Sequence, residues 1–230
     1  MHPMLNIAIR AARKAGDHVI KSLEKPQSIE VANKGNDVVT NIDQEAEAII
    51  IDTILKSYPD HCIIGAETGN KEGRDKECQW IIDPVDGTKN FVRGLPHFAI
   101  SVALRMRGRT EVAAVYDPAR NELFTATRGS GAQLNSQRVR ASQPRDLSGT
   151  TLATGLPFAA KQHAESYMKI QNALFIECDD MRQCGSTALD LCYLAAGRVD
   201  GVFKLGQKPW ELAAGELIAR EAGAICTDFT

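Results

Sequence analysis

Residues 80–91 read Trp-Ile-Ile-Asp-Pro-Val-Asp-Gly-Thr-Lys-Asn-Phe, an apolar run that stops at two carboxylates bracketing a proline and then a Gly-Thr step. Asp83 and Asp86 can converge on one hard cation, because Pro84 fixes the backbone near them and the Val85 carbonyl offers a further oxygen. All-oxygen ligation of this kind suits magnesium. Gly87 and Thr88 can then open a helix whose free amides receive a phosphate. The chemistry such a group performs is metal-assisted hydrolysis, in which cations screen the phosphate charge and lower the pKa of a bound water. An acidic turn that caps a helix also fits the bare Asp-x-x-Asp-Gly pattern. The longer string is more specific.

The elements that must position these groups are legible in outline. The chain has 230 residues, 43% of them hydrophobic, enough for one large domain, here expected as two closely packed halves, roughly 1–140 and 141–230. Apolar residues from Met4 to Val19 recur at three- and four-residue spacings and predict an amphipathic helix over 3–22. A second helix is predicted from about Ile42 to Lys56, capped by Thr40 or Asn41. Strands are expected at Cys62–Ile64, Trp80–Ile82, Ala99–Met106, Glu111–Tyr116, Glu122–Thr127 and Thr151–Thr154, with a hairpin turn at Arg107-Gly108-Arg109. Helices are expected near 160–173, 187–196 and 210–222, the last stopped by Gly223. Ala224–Thr227 reads as a final strand, and the Ser/Gly/Asn-rich stretch 129–149 as a surface loop. Blocks of strands and helices indicate a layered α+β protein.

Composition narrows the function classes. No run approaches 18 apolar residues and no secretory leader pattern opens the chain, so a cytoplasmic protein with no membrane partner is expected. The formal charge of −2 gives no global attraction to nucleic acid. Six cysteines without a CxxC pair read as reduced structural thiols rather than disulfides or a metal site.

The string from Asp83 to Phe91 resembles the signature of the inositol monophosphatase family, and the resemblance extends over essentially the whole chain. Lys34 and Asp37–Asp43 resemble the family's mobile-loop lysine and the start of its second helix, and Gly185-Ser186-Thr187-Ala188 its substrate-side turn. Pro209-Trp210-Glu211, followed by Ala213-Ala214-Gly215, resembles its second signature, Trp-Asp-x-Ala-x-Gly. The opening Met1–Ala8 and the string Tyr116–Phe124 are similar to its bacterial SuhB-like branch. The resemblance implies a layered αβαβα sandwich, commonly a homodimer, acting as a Mg²⁺-dependent phosphatase on inositol monophosphates and related small phosphomonoesters. It implies Asp83, Val85, Asp86 and Glu211 as metal ligands, with Glu67 as a conditional one. Asp43 is implied for a weaker third cation, although a first-turn helix acid fits it equally. Asp83, Asp86 and Thr88 would be catalytic, Thr88 by orienting the attacking water. Asp86, Gly87, Thr88, Gly185 and Ser186 would face the substrate. Arg182 would contact substrate or a partner subunit, or form a structural ion pair. The branch also implies a role with the transcription machinery in ribosomal RNA antitermination, which need not use the phosphatase site. A related phosphatase for bisphosphorylated nucleotides or sugars is a third reading.

Three positions depart from the family pattern. Where it has Glu-Glu-Ser/Thr, this chain has Ala66-Glu67-Thr68, so Ala66 stands at the ligand position and Glu67 reaches the metal only through a local register slip. Glu211 replaces Asp and adds a methylene. Lys204 stands where inositol-cleaving members have a Glu, so a donor replaces an acceptor. Reduced activity is expected. His97 is expected to be packed or at the surface rather than catalytic, and Trp210 to pack under the metal site. The family pattern continues past Thr230 with a further strand and helix, which are expected to be lacking here.

Overall fold

The computed structural model describes residues 2–34 and 37–228. Helix α1 (Pro3–Ser22) begins with a proline in its first turn, where the missing amide costs nothing, and the His2 ring accepts the Met4 amide. Its buried face is made of small residues, Ala8, Ala11, Ala12, Ala15 and Gly16, flanked by Leu5 and Val19. A hairpin of β1 (Val31–Lys34) and β2 (Asp37–Thr40) leads into α2 (Asn41–Leu55). Thr40 caps α2 in a reciprocal box with Asp43.

The main sheet then forms from β3 (His61–Gly65), β4 (Gly69–Lys71), β5 (Asp75–Asp86), β6 (Ala99–Met106), β7 (Arg109–Asp117), β8 (Glu122–Thr127), β9 (Ala132–Leu134) and β10 (Gln137–Val139), with a short helix α3 (Thr88–Val92) after β5. Its order is β10-β9-β8-β7-β6-β5-β3-β4. Alternation sorts the side chains onto two faces. Trp80, Ile82, Ile100, Val102, Leu104, Val112 and Ala114 pack with α1 and α2. Ile81, Ala99, Ala103, Ala113, Val115 and Phe124 pack on the opposite face, against α5 (Thr187–Ala195) and α6 (Pro209–Glu221). Each fully buried large aliphatic contributes about 1.5–3 kcal/mol.

A second, parallel sheet of β12 (Asp180–Arg182), β11 (Thr151–Gly155) and β13 (Gly201–Lys204) lies beyond these helices, joined to them through Ala153, Leu194, Val199 and Ala219. Helix α4 (Ala164–Glu177) sends the buried Tyr167 onto it, with the ring stacked on Phe203 and the hydroxyl 2.7 Å from Thr154 Oγ1. The layers are α, β, α, β, α.

Most expected elements are present, and three differences have local causes. Strand β5 begins five residues before Trp80 and runs on through the two aspartates, because β6 supplies a ladder partner as far as Asp86. The stretch expected as a loop at 129–149 contains the hairpin β9–β10. Its turn residues Asn135 and Ser136 have φ of 46° and 67°, the geometry of a tight hairpin turn, and strands of three residues leave no periodicity to read. Ala224–Thr227 is not a strand. Among the described residues nothing pairs with it, the Ala224 amide bonds back to the Ala219 carbonyl, and Ile225 is 90% exposed. All six cysteines are free, and no described helix is long and apolar enough to cross a membrane.

The contact between α1 and β7 makes a test with opposing expectations. A Cβ on Gly16 would lie 2.7 Å from two Tyr116 ring carbons, and that ring is held by the Asn121 hydrogen bond and by Arg13 over its face. Helix propensity alone makes Gly16→Ala stabilising by about 1 kcal/mol. Overpacking should win, and a lower urea midpoint with unchanged slope, equivalent to about 1–3 kcal/mol lost, is the expected result.

Candidate active site

Asp83 and Asp86 lie on one face of β5 because the strand bulges between them. The ladder pairs Asp83 with Ser101 and Asp86 with Ala99, three residues against two, at the point where Pro84 has no amide to donate. Both carboxylates are buried, at 7% and 6% exposure. Asp86 is anchored across the molecule at the start of α5, where its Oδ2 accepts the Ser186 hydroxyl and the Ala188 amide, each at 2.6 Å. Among the described residues, Asp83 Oδ1 accepts a longer bond from the Val85 amide, at 3.2 Å. Burial therefore holds the Asp83 carboxyl well above the usual range, and the charges of Asp86, Glu211 and Asp43 push it the same way. Asp86 is also raised by burial, against the pull of Ser186, Lys204 and the α5 amides.

Gly87, at φ 106°, turns the chain from β5 into α3, and a Cβ there would meet the His97 carbonyl at 3.0 Å. Thr88 follows, and its hydroxyl lies 2.8 Å from Asp43 Oδ1 and 2.9 Å from the Val85 carbonyl. Asp43 is thus a helix-capping acid on one oxygen and the partner of Thr88 on the other. Burial raises its pKa despite these bonds.

The segment after β3 is supported from below by Glu47, which the sequence did not single out as a site residue. Glu47 is fully buried, and its two oxygens accept the Glu67 and Thr68 amides at 3.1 and 2.7 Å. A Cβ on Gly65 would fall 2.3 Å from that carboxylate, so glycine here makes room for it. The available signal was its spacing: Glu47 stands one turn after Asp43, on the same helix face. Ala66 is half-buried, with its amide on the Ile82 carbonyl, and contributes no ligand atom beside the aspartates. Glu67 is half-buried next to it.

On α6, the Glu211 carboxylate accepts the Lys208 amide and caps its own helix, while its charge is felt at Asp83. The preceding Trp210 packs against the α5–α6 core, and its carbonyl meets the Ser101 hydroxyl. Lys204, at the end of β13, has a buried side chain, ion-paired with Asp190 Oδ2 at 2.6 Å; its ammonium also reaches Thr187 Oγ1 at 3.1 Å. Burial pushes the Asp190 carboxyl up to about 6, against the pull of Lys204. Asp190 was missed, yet it stands four residues after Ser186 in the same helical turn. The structure thus brings Asp43, Asp83, Val85, Asp86, Thr88, Ser186 and Glu211 toward one place. Gly185, at φ 86°, packs its backbone against Asn90 at the edge of that place. Arg182 is half-exposed, and its guanidinium is held by Asp180 on the same strand. His97 is buried, edge-on to Tyr193 at 5.9 Å.

A sequence profile of the inositol monophosphatase family matches residues 1–230. A Vibrio cholerae relative named Nus factor SuhB is 68% identical over 230 residues, all of this chain and 86% of the relative. Among solved structures, the extragenic suppressor protein SuhB of Bartonella henselae superposes with a TM-score of 0.93 at 38% identity, over 96% of this chain and 86% of that one. The IMPase of Thermotoga maritima gives 0.88 at 36% identity, over 99% and 86%.

The Lys204–Asp190 pair carries a pH-dependent test. Asp190 has a folded pKa near 6 against 3.8 for the ordinary group, so its contribution to stability is fully present below 3.8 and falls as pH rises through 6. Above that window the carboxylate is ionised and depends on Lys204. Lys204→Met should cost about 3–5 kcal/mol at pH 8, where it strands a buried charge, and clearly less at pH 5. Chemical denaturation at the two pH values is the measurement.

Proposed function

The chain belongs to the inositol monophosphatase family, and from that premise we propose that it is a magnesium-dependent phosphomonoesterase of low turnover, acting on inositol monophosphates and similar small sugar phosphates. The observation that carries this reading is the buried pair Asp83 and Asp86, raised in pKa and faced by the further acids Asp43 and Glu211. Such a group needs a compensating cation to be ionised, and its donors are all hard oxygens, which fits Mg²⁺. Asp83, Asp86, Glu211 and the Val85 carbonyl would hold it, with Asp43 and Glu67 toward the margin. When bound, magnesium supplies charge neutralisation at the phosphate and acidifies a water.

The chain's own residues do the positioning. The Thr88 hydroxyl, within hydrogen-bond reach of Asp43, can point its proton there and leave its lone pairs to accept from the attacking water. The amides of Gly87 and Thr88 precede the first bond of α3, from Asn90 to the Gly87 carbonyl, and would be the ones to receive phosphate oxygens. Ser186 keeps Asp86 in place from the far side. The two weak points are Ala66, which removes a carboxylate, and Lys204, which offers a donor where hydroxyls would be received. Losing a supporting contact alone typically costs about 10- to 100-fold, and losing a ligand should cost at least that.

A second reading is favoured by the Vibrio cholerae relative, whose name is Nus factor SuhB and whose identity of 68% runs through the whole of this chain. In it, the protein works in the cytoplasm with the transcription machinery and ribosomal RNA, and Ala66 and Lys204 carry no penalty. The test is Mg²⁺-dependent phosphate release from inositol 1-phosphate. Slow release that Asp83→Ala abolishes and Ala66→Glu increases about tenfold or more is the expected result. No release from either the natural chain or Ala66→Glu sinks the enzyme reading; binding to a transcribing polymerase complex that survives Asp83→Ala would then support the second.

A further inference from the structure

Away from the paired aspartates, the described residues hold two groups in which a histidine, a cysteine and an aspartate bring ligand atoms within 4.8 Å of one another. In the first, His61, Asp75 and Cys78, the histidine is already engaged. His61 Nδ1 accepts the Trp80 indole N–H at 3.0 Å, which places the neutral ring's proton on Nε2, facing Asp75 at 4.0 Å. A metal on either nitrogen would have to displace Trp80 or strip that proton.

The second group, His97, Cys184 and Asp190, is different. His97 is 7% exposed, and its Nε2 is buried with no hydrogen-bond partner among the described residues. An orphaned nitrogen of this kind costs about 1–3 kcal/mol, a cost a ligand would remove. The backbones of two members are clamped by one group: the Asn90 amide nitrogen lies 2.7 Å from the His97 carbonyl and 2.8 Å from the Cys184 carbonyl. The third member, Asp190, is fixed in the first turn of α5, with its amide on the Ser186 carbonyl. Three elements far apart in sequence therefore deliver nitrogen, sulfur and oxygen to one half-enclosed point.

We propose that His97, Cys184 and Asp190 form a binding site for a borderline-soft divalent transition metal, Zn²⁺ by its ligand preferences, with water in the fourth position. Nitrogen, thiolate and carboxylate together suit zinc and do not suit magnesium, which takes oxygen only. Bond lengths of about 2.0–2.3 Å put tetrahedral ligand atoms roughly 3.5 Å apart, and the atoms here lie within 4.8 Å of one another. Binding would release the Cys184 thiol proton to solvent. The Lys204 ammonium, which holds Asp190 Oδ2 in the metal-free protein, would withdraw toward Thr187 Oγ1, already within its reach. The site is independent of the phosphatase reading, because none of its ligands belongs to the magnesium group.

Titration of metal-free protein with Co²⁺ tests this directly, since a cobalt–thiolate bond gives a charge-transfer band in the near ultraviolet. One equivalent should produce the band together with visible bands of tetrahedral intensity, and Zn²⁺ should displace it. Cys184→Ser, nearly isosteric and checked for folding by circular dichroism, should lose the band, and His97→Asn should weaken cobalt binding about tenfold or more. Asp83→Asn and Cys78→Ser should keep it. Absence of the band from the natural chain, its persistence in Cys184→Ser, or its loss in Asp83→Asn would each overturn the proposal.

Discussion

Two carboxylates, Asp83 and Asp86, are buried on one face of β5, and burial above all, with the neighbouring acids adding to it at Asp83, makes their ionisation costly. A regular strand would have sent the two side chains to opposite faces. The bulge at Pro84 and Val85 brings them to the same face, and the start of α5 fixes Asp86 with a hydroxyl and an amide. Among the described residues Asp83 receives much less, one long bond from the Val85 amide, and it is the more strongly perturbed. The site is thus asymmetric: one carboxylate is tied into the frame by a hydroxyl and an amide, and the other is held far less firmly.

The departures from the family pattern act on this arrangement in different ways. Ala66 withdraws a side chain while leaving the backbone intact, because Glu47 still holds the next two amides from below. That geometry is why restoring a glutamate at 66 is a fair experiment: the loop that would carry it is already supported. Lys204 does more than invert a hydrogen bond. It brings a positive charge on a buried side chain that Asp190 partly neutralises and that also pulls down the pKa of Asp86, so the electrostatics beside the aspartate pair are changed. Glu211 spends one oxygen on capping its own helix, which a longer side chain can do while its charge still acts on Asp83.

Much of the frame was legible from the sequence. Strands β6 and β8 and the hairpin turn at Arg107-Gly108 follow from short strand-forming runs and turn chemistry. The aspartate pair and Thr88 were readable from their order along the chain. The missing parts depended on partners distant in sequence. Glu47 looks like a solvated helix acid until the segment after β3 is laid across it. Asp190 acquires meaning only beside Lys204, and His97 only beside Cys184. The apolar run Ala224–Thr227 shows the converse, since β-forming residues make no strand without an adjacent edge to pair with.

The central claim is that the Asp83–Asp86 site is a cation site whose unbalanced charge destabilises the protein until it is filled. Thermal unfolding with and without Mg²⁺, in the absence of substrate, tests it most directly. A ligand at 100 times its Kd stabilises by about 2.7 kcal/mol, which in a chain of this size is a rise in Tm of roughly 5–10 °C. The account predicts such a rise for the natural chain, and for Asp83→Asn a higher metal-free Tm that no longer responds to Mg²⁺. A natural chain indifferent to Mg²⁺, or an Asp83→Asn protein that responds equally, would contradict it.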